Sequence, residues 1–137
     1  MGVSIGATNS KYSFDMGYSG FFNLRKNIAL ALDKEFGENY ANLANCHSEE
    51  DYEAHDKIAN DLIEKKHLDV DVVGFLYQED SEGKIDYTIC RKIYYIIKDV
   101  DFSGKSFRYA AYAHNDYEEF KAFLKECYSH RRQMRWS

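Results

Sequence analysis

Residues 74–97 read GFLYQEDSEGKIDYTICRKIYYII and join an apolar segment, an acidic turn and a patterned helix. The apolar run at residues 70–76 is too short to assign by periodicity, so strand and short helix both stay open. Asp86 is a typical N-cap residue and predicts a helix over residues 87–99. Apolar side chains recur along this helix with helical spacing, and its predicted buried face is Ile89, Cys90, Ile93, Ile96 and Ile97.

The acidic turn of this stretch has the outline of a calcium-binding loop. With Gly83 at loop position 6, Gln78 falls at position 1 and Ile89 at position 12, where a calcium loop needs a bidentate glutamate. Ile89 has no oxygen ligand, so we predict no metal site. We interpret the turn as the start of a helix, with Gly83 in a positive-φ conformation. The acids Asp80 and Glu82 are then exposed charges that a partner can contact.

Four segments are predicted to be strands. Residues 3–8 and 11–16 flank a turn at Asn9, and the second of them alternates apolar and polar side chains, which predicts a β-hairpin. Residues 106–112 show a similar alternation. The segment at residues 133–136 is predicted to be a short edge strand.

Capping signals place two more helices. Ser19 is predicted to cap a helix that runs to Phe36 and is followed by Gly37 as its C′ residue. Ser48 and Asp51 have the spacing of a capping box that opens a helix ending near residue 66. The residues predicted to face inward on that helix are Ala54, Ile58, Ala59, Leu62 and Ile63.

The last predicted helix starts at Asn115 and Glu118, whose spacing is similar to a capping box. Its predicted buried face is Phe120, Phe123, Leu124 and Cys127. Together these elements predict an α+β fold: a single compact domain over residues 1–137, with about four helices packed on a small antiparallel sheet.

Charge and cysteine content argue against several classes of protein. The formal net charge is −5, which counts against duplex nucleic acid as a partner because such binding relies on Lys and Arg contacts with phosphates. No apolar run approaches the ~20 residues of a membrane span, and the N-terminus has no signal-peptide pattern. The cysteines are odd in number and widely spaced, which predicts free thiols in the cytoplasm, at Cys46, Cys90 and Cys127.

The segment GYSGF at residues 17–21 lies between a predicted strand and a predicted helix, where a nucleophile elbow would also lie. The elbow pattern G-x-S-x-G needs glycine at its fifth position, which Phe21 occupies, so we predict no catalytic residue. Backbone N–H groups at a helix N-terminus attract anions. A phosphate-bearing ligand is therefore one interpretation, and a simple capped helix is the other. The predicted ligand-binding residues are Tyr18, Ser19, Gly20, Arg25 and Lys26.

The C-terminal segment HRRQMRWS at residues 130–137 is basic and carries the single tryptophan. Arginine and tryptophan together can stack and pair against RNA or an acidic partner. A solvated chain end is the simpler interpretation. The residues of this segment predicted to contact a partner are Arg131, Arg132, Arg135 and Trp136.

Two stretches resemble a family of small bacterial and bacteriophage proteins. The first is GYSGF followed by LR, at residues 17–25. The second is FLYQEDSEGKI, at residues 75–85, which is similar to the family segment F-L-x-H-S-D-C-D-G-E-(I/L). Gln78 and Ser81 replace the His and the first Cys of that segment, which argues against carrying a metal-binding role over. The resemblance implies no established activity, but it implies a phage or prophage setting.

We therefore expect a non-enzymatic binding protein of a phage or mobile element, without a cofactor. It would occupy a host protein or sequester a small nucleotide-like ligand, with anti-defence as its setting. The 12 tyrosines, a residue type enriched at recognition surfaces, favour this expectation. An immunity-type protein that neutralises a basic toxin is an alternative, because residues 49–56 hold five acids and no Lys or Arg. A small hydrolase using Ser19 is another, and self-association into a homo-oligomer stays open.

Overall fold

The computed structural model describes residues 2–11, 13–102 and 113–137. Within that part the chain forms six α-helices and a four-stranded antiparallel sheet, which confirms the α+β class but exceeds the helix count predicted. The strands are β1 (Gly2–Ala7), β2 (Ser13–Gly17), β3 (Gly83–Ile85) and β4 (Met134–Trp136). The helices are α1 (Tyr18–Leu32), α2 (Lys34–Ala41), α3 (Glu49–Lys66), α4 (Val70–Tyr77), α5 (Tyr87–Ile97) and α6 (Ala113–Ser129), with a 3-10 segment at Asn42–Asn45.

The sheet has the strand order β2-β1-β4-β3. β1 and β2 form the predicted hairpin, with Val3 opposite Met16 and with Asn9 in the left-handed conformation at φ 57°. The prediction of an edge strand at the C-terminus is wrong, because β4 pairs with β1 on one side and with β3 on the other. The predicted strand at residues 106–112 lies outside the described residues.

One apolar core fills the space between the sheet and the helices. Buried Ile5 of β1 follows exposed Ser4, the alternation of a strand with one covered face. Trp136 of β4 lies between α1 and α4, with its ring 5.5 Å from that of Phe21 and 5.6 Å from that of Phe75. The sheet and these two helices therefore share one aromatic cluster. All three cysteines are free and buried, and Cys90 and Cys127 belong to this core, whereas Cys46 lies outside it.

A sharp break separates α1 from α2, where the sequence predicts one continuous helix to Phe36. Asp33 has extended backbone angles, and its carboxylate accepts the N–H of Phe36 at 2.9 Å, so it caps α2. Gly37 is consequently not the C′ residue of a long helix but lies inside α2. A Cβ atom at Gly37 would approach the Cα of Leu30 to 2.5 Å, so the glycine permits α2 to pack closely on α1.

α3 has the predicted capping box but a different buried face. The hydroxyl of Ser48 accepts the N–H of Asp51 at 3.1 Å, and the Asp51 carboxylate accepts the N–H of Ser48 at 3.2 Å. Ala54 is exposed and Ile58 is 48% exposed, so their predicted inward placement is wrong. The whole of α3 is described, and its buried residues are His55, Ala59 and Leu62.

α5 and α6 pack against each other through most of their predicted faces. The carboxylate of Asp86 accepts the N–H groups of Thr88 at 2.9 Å and Ile89 at 3.1 Å, which confirms the N-cap. α6 begins at Ala113, so Asn115 lies inside the helix and is not its N-cap. No helix within the described ranges has the length and apolar content to cross a bilayer. The side chains predicted inward on α6 are fully buried: Phe120, Phe123, Leu124 and Cys127.

Candidate functional site

A groove of about 460 Å³ opens beside the first turns of α1. Its remaining walls come from the end of α2, the 3-10 segment and the turn after α4. Of the five predicted ligand-binding residues, Tyr18, Ser19 and Lys26 line it, whereas Gly20 and Arg25 are buried. The described residues that line it define the α1 groove: Tyr18, Ser19, Phe22, Asn23, Lys26, Ala41, Ala44 and Asp80.

The N-terminus of α1 lies at this groove and is not capped by a side chain. Gly17 is the N-cap residue, so the prediction that Ser19 caps α1 is wrong. Ser19 instead lies in the first turn, which contains no acidic residue. Because Gly17 has no side-chain acceptor, the first N–H groups of α1 stay open to other acceptors. The helix dipole makes this end of α1 attractive for an anion.

Asn23 is a groove residue that the sequence reasoning missed. Its side chain lines the α1 groove although the residue is only 6% exposed. Its amide makes no hydrogen bond to the described part of the chain, and it is not among the fully buried polar atoms that lack a partner there, so it reaches the open groove. One signal was present in the sequence: Asn23 follows Ser19 by one helical turn, so both lie on the same side of α1.

Arg25 lies beneath the groove rather than in it. Its Nη2 atom donates to the carbonyl oxygens of Phe75 at 2.7 Å and Gln78 at 2.5 Å, which end α4. The guanidinium carbon lies 4.7 Å from the ring centroid of Phe21 and 5.8 Å from that of Trp136. Burial lowers the pKa of the guanidinium. Arg25 is therefore held in the core and does not face a ligand, contrary to the prediction.

The two acids predicted to contact a partner are both exposed, but they line different grooves. Asp80 lines the α1 groove, where its negative charge favours the charged form of nearby Arg25. Glu82 lines a second groove of about 570 Å³, together with Lys84 and Arg135. Asp80 thus belongs to the ligand-binding candidate, and partner contact by Glu82 stays a prediction.

The shape of the acidic turn depends on Gln78 and Gly83. The side chain of Gln78 donates to the carbonyl of Lys84 at 2.9 Å and accepts its N–H at 3.2 Å, which closes the turn. Gly83 lies in β3 outside the left-handed region, so the prediction of a positive φ is wrong. A Cβ atom there would come within 2.1 Å of the Trp136 ring, which is why glycine is needed. In the described ranges, no three His, Cys, Asp or Glu side chains are grouped as metal ligands.

The basic C-terminal segment is part of the fold. Trp136 is 1% exposed, and its indole N–H donates to the carbonyl of Glu79 at 3.0 Å, so it cannot stack on a partner in this structure. Arg132 donates to the backbone carbonyl of Asn9. Arg131 and Arg135 are exposed, so contact of these two side chains with a partner stays a prediction.

The α1 groove thus combines a lysine, a carboxylate, a carboxamide, two hydroxyls and two aromatic rings. This set can bind a polar ligand with an anionic group and a flat ring. Ser19 makes no hydrogen bond to a histidine among the side chains that the structure describes, and the hydrolase alternative stays a prediction. Comparison with protein-family models, curated proteins and solved structures finds no match for this chain.

Proposed function

We propose that this chain is a non-enzymatic binding protein that holds a small phosphate-bearing ligand in the α1 groove. The observation that carries the proposal is the convergence on this groove of an uncapped helix N-terminus, a lysine and the carboxamide of Asn23, which makes no hydrogen bond to the described residues. A helix N-terminus alone is common, so the lysine and the carboxamide beside it are what distinguish this groove. A ligand group can pair with this amide in place of water.

Electrostatics favour an anionic group near Lys26. Lys26 is half-buried and forms no ion pair with the described residues, so its ammonium is free to bind a phosphate. Among the described residues that line the groove, Asp80 is the single carboxylate. Asp80 interacts electrostatically with the buried guanidinium of Arg25, whose positive charge lies beneath the groove. The groove therefore does not exclude an anion despite the net charge of −5.

Ligand binding is tested by thermal unfolding and calorimetry with the four 5′-nucleoside monophosphates and inorganic phosphate. A ligand at 100 times its Kd should raise the free energy of unfolding by about 2.7 kcal/mol. Lys26→Ala should weaken nucleotide binding by about tenfold or more, because it removes a charge-assisted contact with phosphate. Lys57→Ala, on the exposed side of α3, is the matched control and should bind normally. If no compound stabilises the native chain, the proposal is wrong.

The biological setting is proposed from the sequence resemblance. In a phage or mobile element, a protein that sequesters a nucleotide-like ligand would remove a signal or substrate from the host, which is an anti-defence role. In an alternative version of this proposal, the chain binds a host protein and no small ligand. In that case the chain should still capture its partner from a host extract from which nucleotides have been removed.

A second candidate is an immunity-type protein that neutralises a basic partner, and α3 is the observation that favours it. Five acids in residues 49–56 are exposed, while only three residues of the helix are buried. A long helix with such a surface offers a negative face that complements a basic protein. This candidate predicts binding to a Lys-rich peptide that weakens with salt, with no response to nucleotides.

A further inference from the structure

We propose that the ligand of the α1 groove is a guanine nucleotide, with the base recognised by Asn23 and Asp80. This inference rests on the proposed function and names the class of ligand that the groove selects. The two residues come from different elements, α1 and the turn after α4, and both line the same groove. A base held between them would be contacted on two edges.

Asn23 supplies both a donor and an acceptor. A carboxamide carries two N–H donors and one carbonyl acceptor, so it pairs with a ligand group that offers the complementary atoms. The side chain is 6% exposed and has no partner in the described chain, yet it borders open groove volume. On the edge of a purine that carries N7, a carboxamide pairs with adenine through N6 and N7, whereas to guanine it can only donate, to O6 or N7. Asn23 therefore contacts the base, and the choice of guanine depends on Asp80.

Asp80 discriminates among the bases because an ionised carboxylate can only accept. The Watson–Crick edge of guanine carries two neighbouring donors, N1–H and the N2 amino group, which match the two oxygens of a carboxylate. Adenine and cytosine each offer one amino group flanked by a ring acceptor, which would face the carboxylate unfavourably. Uracil offers a single N–H between two carbonyls. Of the four bases, guanine alone satisfies both carboxylate oxygens.

The other residues that line the groove can contact the face of the base and the phosphate end of a nucleotide. Tyr18 and Phe22 line the groove one helical turn apart, and Phe22 is held by stacking on Tyr40 at 5.7 Å and 21°. Aromatic rings of this kind are platforms for a base. Ser19 and Lys26 are seven residues apart, which is about 10 Å along the helix axis, so a nucleotide can reach both.

The test is isothermal titration of the full chain with GMP, AMP, CMP, UMP and inorganic phosphate at one ionic strength. We expect GMP to bind about tenfold or more tightly than AMP, the range for one bidentate base contact. Asp80→Asn replaces an acceptor by a donor on an exposed turn, and should reduce the preference for GMP to about threefold or less. Asn23→Ser should weaken GMP binding. Glu79→Gln, at an exposed neighbouring position outside the groove lining, should change neither property.

The outcomes separate the two proposals. Equal binding of GMP and AMP, or binding of phosphate as tight as that of GMP, overturns guanine recognition and leaves phosphate binding intact. A GMP preference that persists in Asp80→Asn overturns the role of Asp80, and with it the inference, without requiring Asn23→Ser to fold. If neither phosphate nor any nucleotide binds, both the inference and the proposed function are wrong.

Discussion

Arg25 acts as a core residue although it carries a charge. Its Nη2 atom binds two carbonyls at the end of α4, and its planar group lies against the rings of Phe21, Phe75 and Trp136. Burying the cation costs free energy, which is consistent with the lowered pKa of the guanidinium. The hydrogen bonds and cation–π contacts offset this cost and join α1, α4 and β4.

Replacement of Arg25 by lysine is expected to destabilise the protein by about 1–3 kcal/mol. Lysine keeps the charge, but its ammonium cannot stack on the rings and bridge both carbonyls at once. Urea unfolding at neutral pH measures the loss. Arg91→Lys on the exposed side of α5 is the control and should stay within about 0.5 kcal/mol of the native protein. An Arg25→Lys variant as stable as the native chain would show that the planar guanidinium and its two hydrogen bonds do not contribute to stability.

Individual site residues could be predicted only where their neighbours in sequence determine their placement. Tyr18, Ser19 and Lys26 follow from helix spacing and do line the groove. Arg25 has the same helical spacing, but its burial depends on Phe75, which is 50 residues away. The need for glycine at position 83 depends on Trp136 in the same way. Contacts between distant segments leave no local pattern in the sequence. Neither the burial of Arg25 nor the need for glycine at position 83 could therefore be predicted.

The junction of α1 and α2 is set by close backbone packing. Gly37 lies in α2, where a Cβ atom would approach the Leu30 backbone to 2.5 Å. Gly74 lies in α4, where a Cβ atom would meet nothing within 4 Å. Both glycines are helical, so both cost helix propensity relative to alanine. Only at Gly37 does packing between helices require the missing side chain.

Alanine at these two glycines is therefore expected to have opposite effects on stability. Gly37→Ala should destabilise by about 1–3 kcal/mol, because the clash involves backbone atoms that cannot rotate away and exceeds the gain in helix propensity. Gly74→Ala should stabilise by about 0.5–1 kcal/mol, since it gains propensity without a new contact. Chemical denaturation of both variants measures this. A stabilising Gly37→Ala variant would mean that α2 is not closely packed on α1 in solution.

Helix starts were predictable where a capping side chain lies close in sequence to the backbone N–H groups that donate to it. Ser48 and Asp86 confirm this, because a cap involves residues within one turn. The end of α1 was not predictable from its apolar stripe, which continues through Phe36. Asp33 ends α1 by capping α2. The residues around Asp33 are equally compatible with one continuous helix to Phe36. The interior position of β4 depends on pairing with β1 from the opposite end of the chain.

The attachment of α3 to the rest of the molecule involves an uncharged histidine. His55 is 2% exposed, and its Nε2 atom lies 2.8 Å from the Tyr77 hydroxyl of α4. Asn39 of α2 donates to the backbone carbonyl of His55 at 3.3 Å. The Nδ1 atom of His55 has no hydrogen-bond partner within the described residues. Burial lowers the pKa of His55, although the charge of Asp56 opposes this shift.

Stability is therefore expected to fall as the pH falls below about 6.5, the ordinary pKa of histidine in the unfolded chain. In that range the unfolded chain binds a proton that folded His55 resists, so protonation favours unfolding. One titrating group limits the slope to about 1.4 kcal/mol per pH unit. Capping aspartates such as Asp33 and Asp86, whose pKa values are also lowered, lose their contribution only at more acidic pH.

Urea unfolding of the native chain at pH 7.5, 6.5 and 5.5 measures this dependence, and two glutamine variants isolate its source. His55→Gln should be less stable at pH 7.5 but should lose little further stability by pH 5.5, because the buried titrating group is gone. His47→Gln, at an exposed position, should keep the slope of the native chain. A slope that survives in His55→Gln would assign the pH dependence to another group, and the attachment of α3 would then not depend on a neutral His55.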